Sequence, residues 1–140
     1  MAWKNYECEI SSKPAFIMLD DRFLHLAPVF ELPQLSWFGV YCRLPPEGNL
    51  WHPDEADSLD RIEKDFIALV RAFGHGWAVY VMQIVTPGIR EYYLYNSVEA
   101  EPSKAYVALK ANYPDYRIEF ETISDPGWDQ YKRYADKSSA

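Results

Sequence analysis

The sequence predicts an α+β domain in which an antiparallel sheet follows the order β, α, β, β, α, β, with a β-hairpin before it and a short helix after it. Three observations carry this prediction. Strand-like apolar runs flank an amphipathic stretch, two further runs are joined by a Pro-Gly turn, and a second helical stretch opens on a proline. At 140 residues, 49% hydrophobic and 25% charged, the chain is long enough to bury one core without staples, so residues 1–140 read as one domain.

Trp3 to Ile10, the turn Ser11-Ser12-Lys13-Pro14 and Ala15 to Leu19 form the predicted N-terminal hairpin, about 3–19. Asp20 to Gln34 holds Pro28 and Pro33 and no sustained period, which predicts a surface loop. Ser36 to Leu44 is apolar on both faces and reads as a central strand, broken by Pro45, Pro46 and Gly48. Leu59, Ile62, Phe66, Leu69, Val70 and Phe73 recur at helical spacing up to Gly74. Asp54, Glu55, Asp57 and Asp60 lie in the first turns, where carboxylates complement the helix dipole.

Trp77 to Ile84 and Arg90 to Tyr95 form a second hairpin around Pro87-Gly88, with Tyr93 and Tyr95 on one face. Pro102 opens a helix to about Asn112, Tyr116 to Glu121 alternates as a half-exposed strand, and Asp125-Pro126 starts a last helical turn carrying Trp128 and Tyr131. The core, about 36–122, then fits a ferredoxin-like antiparallel sheet with helices on one face, and the C-terminal helical segment spans about 125–135. In that topology Trp77 to Ile84 lies at an edge. Its apolar character predicts that the hairpin covers it, or a second subunit in a homodimer.

The charge of −7 excludes general attraction to nucleic acid or anionic lipid and favours basic or neutral protein partners. Two cysteines without metal-ligand spacing, no signal-like start and no run of roughly 20 apolar residues predict a cytoplasmic protein with reduced thiols, no membrane span and no cofactor.

Trp3 to Tyr6, Lys13-Pro14-Ala15, Leu32-Pro33, the strand around Trp37, the run Gly88 to Tyr95 and Asp125-Pro126-Gly127-Trp128-Asp129-Gln130-Tyr131 occur in this order, and together they resemble the domain of unknown function 695 family. An Arg-Glu-aromatic strand followed by Asp-Pro-x-Trp-x-x-Tyr is the specific pair. Pro87 before the turn glycine and a basic, flexible tail Tyr131-Lys132-Arg133-Tyr134 depart from the pattern. The resemblance implies a small α+β domain, sometimes joined to a domain of the regulator of ribonuclease E activity B type, and no catalytic residues.

For function, Arg90, Tyr93 and Tyr95 have the composition of a protein interface if their face is exposed. Trp128 and Tyr131 either dock the C-terminus onto the sheet or, if exposed, extend that patch. His52, Asp54, Glu55 and Asp57 could hold a divalent ion, against the plainer reading of a solvated helix start. Cys8 or Cys42 would need His25, His52 or His75 as a base, and Glu7 and Glu9 oppose a thiolate at Cys8. Asp20, Asp21, Glu91, Glu119 and Glu121 could supply a carboxylate pair. No catalytic constellation emerges, so the expectation is a non-enzymatic module that binds a protein. It would act as a ribonuclease-type regulator or as an immunity protein against a basic toxin, and the alternative is a small hydrolase or metal enzyme seeded by the His52 cluster.

Overall fold

The computed structural model describes residues 3–138. Its strands are β1 (Trp3–Ile10), β2 (Lys13–Asp20), β3 (Gln34–Tyr41), β4 (Ala78–Thr86), β5 (Ile89–Asn96) and β6 (Ile118–Ser124). Its helices are α1 (Ala56–Phe73), α2 (Pro102–Asn112) and α3 (Asp129–Ser138), with 3-10 turns at Asp21–Phe23 and Pro53–Glu55. The six strands form one antiparallel sheet in the order β1-β2-β4-β5-β3-β6. The fold is thus a mixed α+β arrangement.

The hairpin is built into the sheet. Ser11 and Ser12 have φ of 51° and 65°, so a two-residue turn joins β1 to β2 with the twist that primed turns match, and Lys13-Pro14 belong to the strand. Phe16–Leu19 pair with Val85–Met82, which covers the apolar edge of β4. The bare edge that pointed to a homodimer is therefore closed within the chain, and the sheet ends at β1 and β6.

Both faces of the sheet are covered, where the sequence pointed to helices on one. Under α1 and α2 lie Phe38, Val40, Tyr92, Leu94 and Ile118, packed on Leu59, Ile62, Phe66, Val70, Ala105 and Leu109. On the other face Ile17, Leu19, Leu35, Met82, Ile84 and Tyr95 pack on Trp128, Tyr131, Tyr134 and Ala135. A register shift between Tyr80 and Met82 divides β4 between the two. Val81 and Met82 both enter the second cluster, and side-chain parity reverses beyond them. Tyr80 and Gln83 consequently both face α1, where Glu63 accepts from each.

The expected tail at Tyr131–Tyr134 is the body of α3, with Tyr134 buried. Leu44 lies beyond β3, and so does Cys42, which is half-buried. Among the described residues no helix is long and apolar enough to cross a membrane.

Candidate functional site

Strand β5 splits its side chains between the faces. Arg90 points under α1 and is only 6% exposed. Its guanidinium lies 4.5 Å from the Trp51 ring centroid and 3.7 Å from Asp60 Oδ1, while its Nε and the Tyr92 hydroxyl have no hydrogen-bond partner. Burial, then the charge of Glu63, pushes the Tyr92 pKa up. This buried cation is stacked and incompletely paired.

On the opposite face Tyr95 lies flat against Trp128, with centroids 3.9 Å apart and planes at 6°. The Tyr95 hydroxyl donates to Asp125 Oδ2 at 2.6 Å. The Asp125 carboxylate also accepts from the Asp129 and Gln130 backbone N–H groups, so it caps α3. Trp128, at φ 57°, sits in the turn before α3 rather than on a helical turn with Tyr131; its Nε1 donates to the Leu32 carbonyl at 2.9 Å. The Tyr131 hydroxyl donates to the Asp20 carbonyl at 2.7 Å. Tyr93 is half-buried and stacks on Trp37 at 5.9 Å. Thus Arg90, Tyr95, Trp128 and Tyr131 are core side chains, and the anticipated Arg-Tyr face is divided between the two sides of the sheet, with Arg90 under α1 and Tyr93 and Tyr95 facing α3.

The acidic helix start also resolves into separate roles. His52 Nδ1 accepts from the Asp54 N–H at 3.0 Å as a cap, and His52 Nε2 lies 2.8 Å from Glu47 Oε2. Asp57 is exposed in the first turn of α1. Glu55 turns inward and accepts from the backbone N–H groups of Arg43 (2.7 Å) and Leu44 (2.9 Å) and from the Tyr116 hydroxyl (2.8 Å). Burial pushes the Glu55 pKa upward, but these donors and the Arg43 charge outweigh it, and the net shift is downward. The four residues do not converge, and among the described residues no three His, Cys, Asp or Glu side chains form a metal-sized group.

Cys42 is a poor nucleophile, because burial and then Glu55 raise its pKa. Asp20 is buried and paired with the Arg22 guanidinium. Across the sheet Gly39 pairs with both Glu91 and Glu119, so these carboxylates flank a position without a side chain. Burial raises the Glu91 pKa, partly opposed by Tyr93 and helped by Glu119, whereas the Arg117 hydrogen bond lowers that of Glu119. A carboxyl group whose folded pKa is raised favours the protonated state. Its ionisation penalty is absent below the unfolded pKa and complete above the folded one. Glu91→Gln is therefore expected to stabilise the protein at pH 7 and to be neutral at pH 3, measured as the melting-temperature difference from wild type at each pH.

Several clefts open among the described residues, two of them at opposite ends of the sheet. One, of about 780 Å³, lies at the β1–β2 tip between Glu7, Glu9, Phe16, Leu50, Trp51 and Pro87. The other, of about 550 Å³, lies at the opposite end of the sheet, where Phe30, Trp77 and Val98 are 89%, 52% and 63% exposed. Its walls are tied down. The Leu32 N–H donates to the Val29 carbonyl, Asp125 N–H to Pro33, Trp77 N–H to Gly74 and Ser97 N–H to the Trp77 carbonyl. Ser97 is held again by Asn96 Nδ2 at its carbonyl, and Asn96 bonds Ser36 and Gln34.

A model described as a family of unknown function (DUF695) matches residues 1–134 of the 140. The chain belongs to that family. No curated protein and no solved structure matches it.

In this DUF695 chain both stretches that carry the resemblance, Gly88–Tyr95 and Asp125–Tyr131, come together as one structural lock, through the Tyr95–Trp128 stack and the Asp125 cap. Phe30, Trp77 and Val98 were not among the residues singled out from sequence. The available signals were slight: a phenylalanine in an aperiodic segment between Pro28 and Pro33, and a tryptophan directly after Gly74-His75-Gly76. His75 and Gly76 have φ of 53° and 80°, and this left-handed pair carries the chain out of α1 ahead of Trp77.

Proposed function

We propose that this chain is a non-enzymatic cytoplasmic module that binds another protein through the Phe30–Trp77–Val98 cleft. The observation that carries the reading is the exposure of three large apolar side chains around one cleft whose backbone is anchored at Pro33, Trp77 and Ser97. Contiguous apolar exposure of this kind marks interaction sites, and a preformed wall lowers the ordering cost of binding. A regulator of a nucleolytic machine and a neutraliser of a basic toxin would both use such a surface. The topology we propose for strands β4-β5-β3-β6 with α1 and α2 is ferredoxin-like, supported by the order that two right-handed crossovers give to a βαββαβ chain. The β1–β2 hairpin then extends the sheet past β4.

The test places a photo-crosslinking amino acid at Val98 and, as a control, at the similarly exposed Val107 of α2, in cells of the native host. The expected result is a saturable protein adduct from Val98 only, lost when Phe30→Ala and Trp77→Ala are added. Equal adducts from both positions, or none from Val98, would contradict the reading.

The hydrolase alternative has one observation in its favour, the opposed pKa shifts of Glu91 and Glu119 across Gly39. Glu119 is open to solvent and already held by Arg117 and by the Tyr41 hydroxyl. Full retention of the Val98 adduct in Glu91→Gln/Glu119→Gln favours binding over catalysis.

A further inference from the structure

We infer that the cleft takes a basic segment of the partner that inserts an apolar side chain between Phe30 and Trp77; this rests on the protein-binding reading above. The cleft has two kinds of wall. Phe30, Pro33, Trp77 and Val98 are apolar, Glu31 and Glu99 are acidic, and no lysine or arginine lines it. At about 550 Å³ it falls in the range of roughly 300–1,000 Å³ in which pockets enclose a compact group. It therefore has room for a large side chain with its flanking backbone, not for a folded domain.

Charge decides among the occupants. A second copy of this chain, at −7, would bring further negative charge against Glu31 and Glu99, and like-charge juxtaposition opposes such docking. Anionic lipid and nucleic acid meet the same repulsion. A segment with lysine or arginine beside a leucine or aromatic residue matches both walls. The apolar side chain supplies affinity by burial, and the flanking cations supply steering and register. The neighbouring carboxylate Glu101 is already engaged by Lys104 and His75, which leaves Glu31 and Glu99 as the charges at the cleft itself.

The test uses the full chain, isotopically labelled, and three synthetic peptides of equal length with a central tryptophan. One has flanking lysine and arginine, one has glutamate and one has serine. A fourth peptide keeps the basic flanks and replaces the tryptophan by serine. The expected result is that the basic tryptophan peptide alone shifts the Trp77 indole and Val98 methyl signals. Its affinity should fall with added salt, and should fall on the order of tenfold or more in Glu31→Lys/Glu99→Lys. The reversed variant should gain the glutamate peptide, which shows that it still folds.

Equal binding of the serine-flanked or glutamate peptide at Trp77 would overturn the basic partner and leave the cleft reading standing. Signal changes only away from Trp77 and Val98 would overturn the inference, and together with a missing Val98 adduct would overturn both. Sedimentation showing a dimer that Trp77→Ala dissolves would assign the cleft to a second copy and overturn it as well.

Discussion

Trp128→Ala is expected to destabilise the protein by about 4 kcal/mol. The indole is fully buried, stacks flat on Tyr95, meets Phe23 at 5.5 Å and Tyr131 at 5.6 Å, and donates to the Leu32 carbonyl. Removing a buried tryptophan costs about 3–5 kcal/mol through lost transfer energy and the cavity left behind. The orphaned Leu32 carbonyl adds to this. The cavity cannot collapse easily, because α3 is held separately by the Asp125 cap and the Tyr131 bond to Asp20. The melting temperature should fall by roughly 10 °C or more, read by thermal denaturation. A fall under about 2 °C would show that the indole is not packed as described.

Glu55→Ala is expected to cost about 3 kcal/mol at pH 7 and less at pH 3. Its carboxylate is the shared acceptor of the Arg43 and Leu44 N–H groups and the Tyr116 hydroxyl. It therefore fixes the chain where β3 leaves the sheet against the strand-entry residue Tyr116. Removing it strands three donors, and each buried unsatisfied group costs about 1–3 kcal/mol. The pH dependence follows from the lowered pKa. Stability contributed by a carboxylate with a depressed folded pKa is present in full above the unfolded value, near 4.3, and is lost as pH falls through the folded value. The gap between wild type and Glu55→Ala in urea denaturation should narrow as pH falls below about 4. A gap independent of pH would mean that the carboxylate charge is not what holds the two N–H groups.

How much of this was readable beforehand depended on range. Local periodicity placed α1, the β4–β5 hairpin and the proline-started α2 close to their positions, because 3.6 and 2.0 residue spacings are properties of single elements. The common face of Tyr93 and Tyr95 followed from the same parity. Whether that face was open did not, because its cover is α3, more than thirty residues downstream. The Asp-Pro-Gly-Trp turn that aims α3 works through contacts to Tyr95, Leu32 and Asp20 that no window contains.

The β4 bulge is equally invisible in a run of apolar residues, where reversing parity changes no letter pattern. Glu55 looked like part of a solvated acidic start. Its inward turn arises from the 3-10 turn at Pro53–Glu55, which aims it at Arg43 and Leu44 while Asp54 stays outside. Trp77 and Trp128 show the limit most clearly. The same side chain is half-exposed in one place and fully buried in the other, and the difference is made by the two-residue left-handed turn before Trp77 and by the α3 dock around Trp128.

The most direct test of the central claim, that the aromatic residues carrying the family resemblance hold the fold while Phe30 and Trp77 do the binding, is a paired measurement on Trp77→Ala. Its melting temperature should stay within about 4 °C of wild type, as befits a half-exposed side chain with its backbone bonds intact. Its Val98 crosslink to the partner should disappear. A Trp77→Ala protein that keeps the crosslink at unchanged stability would contradict the account.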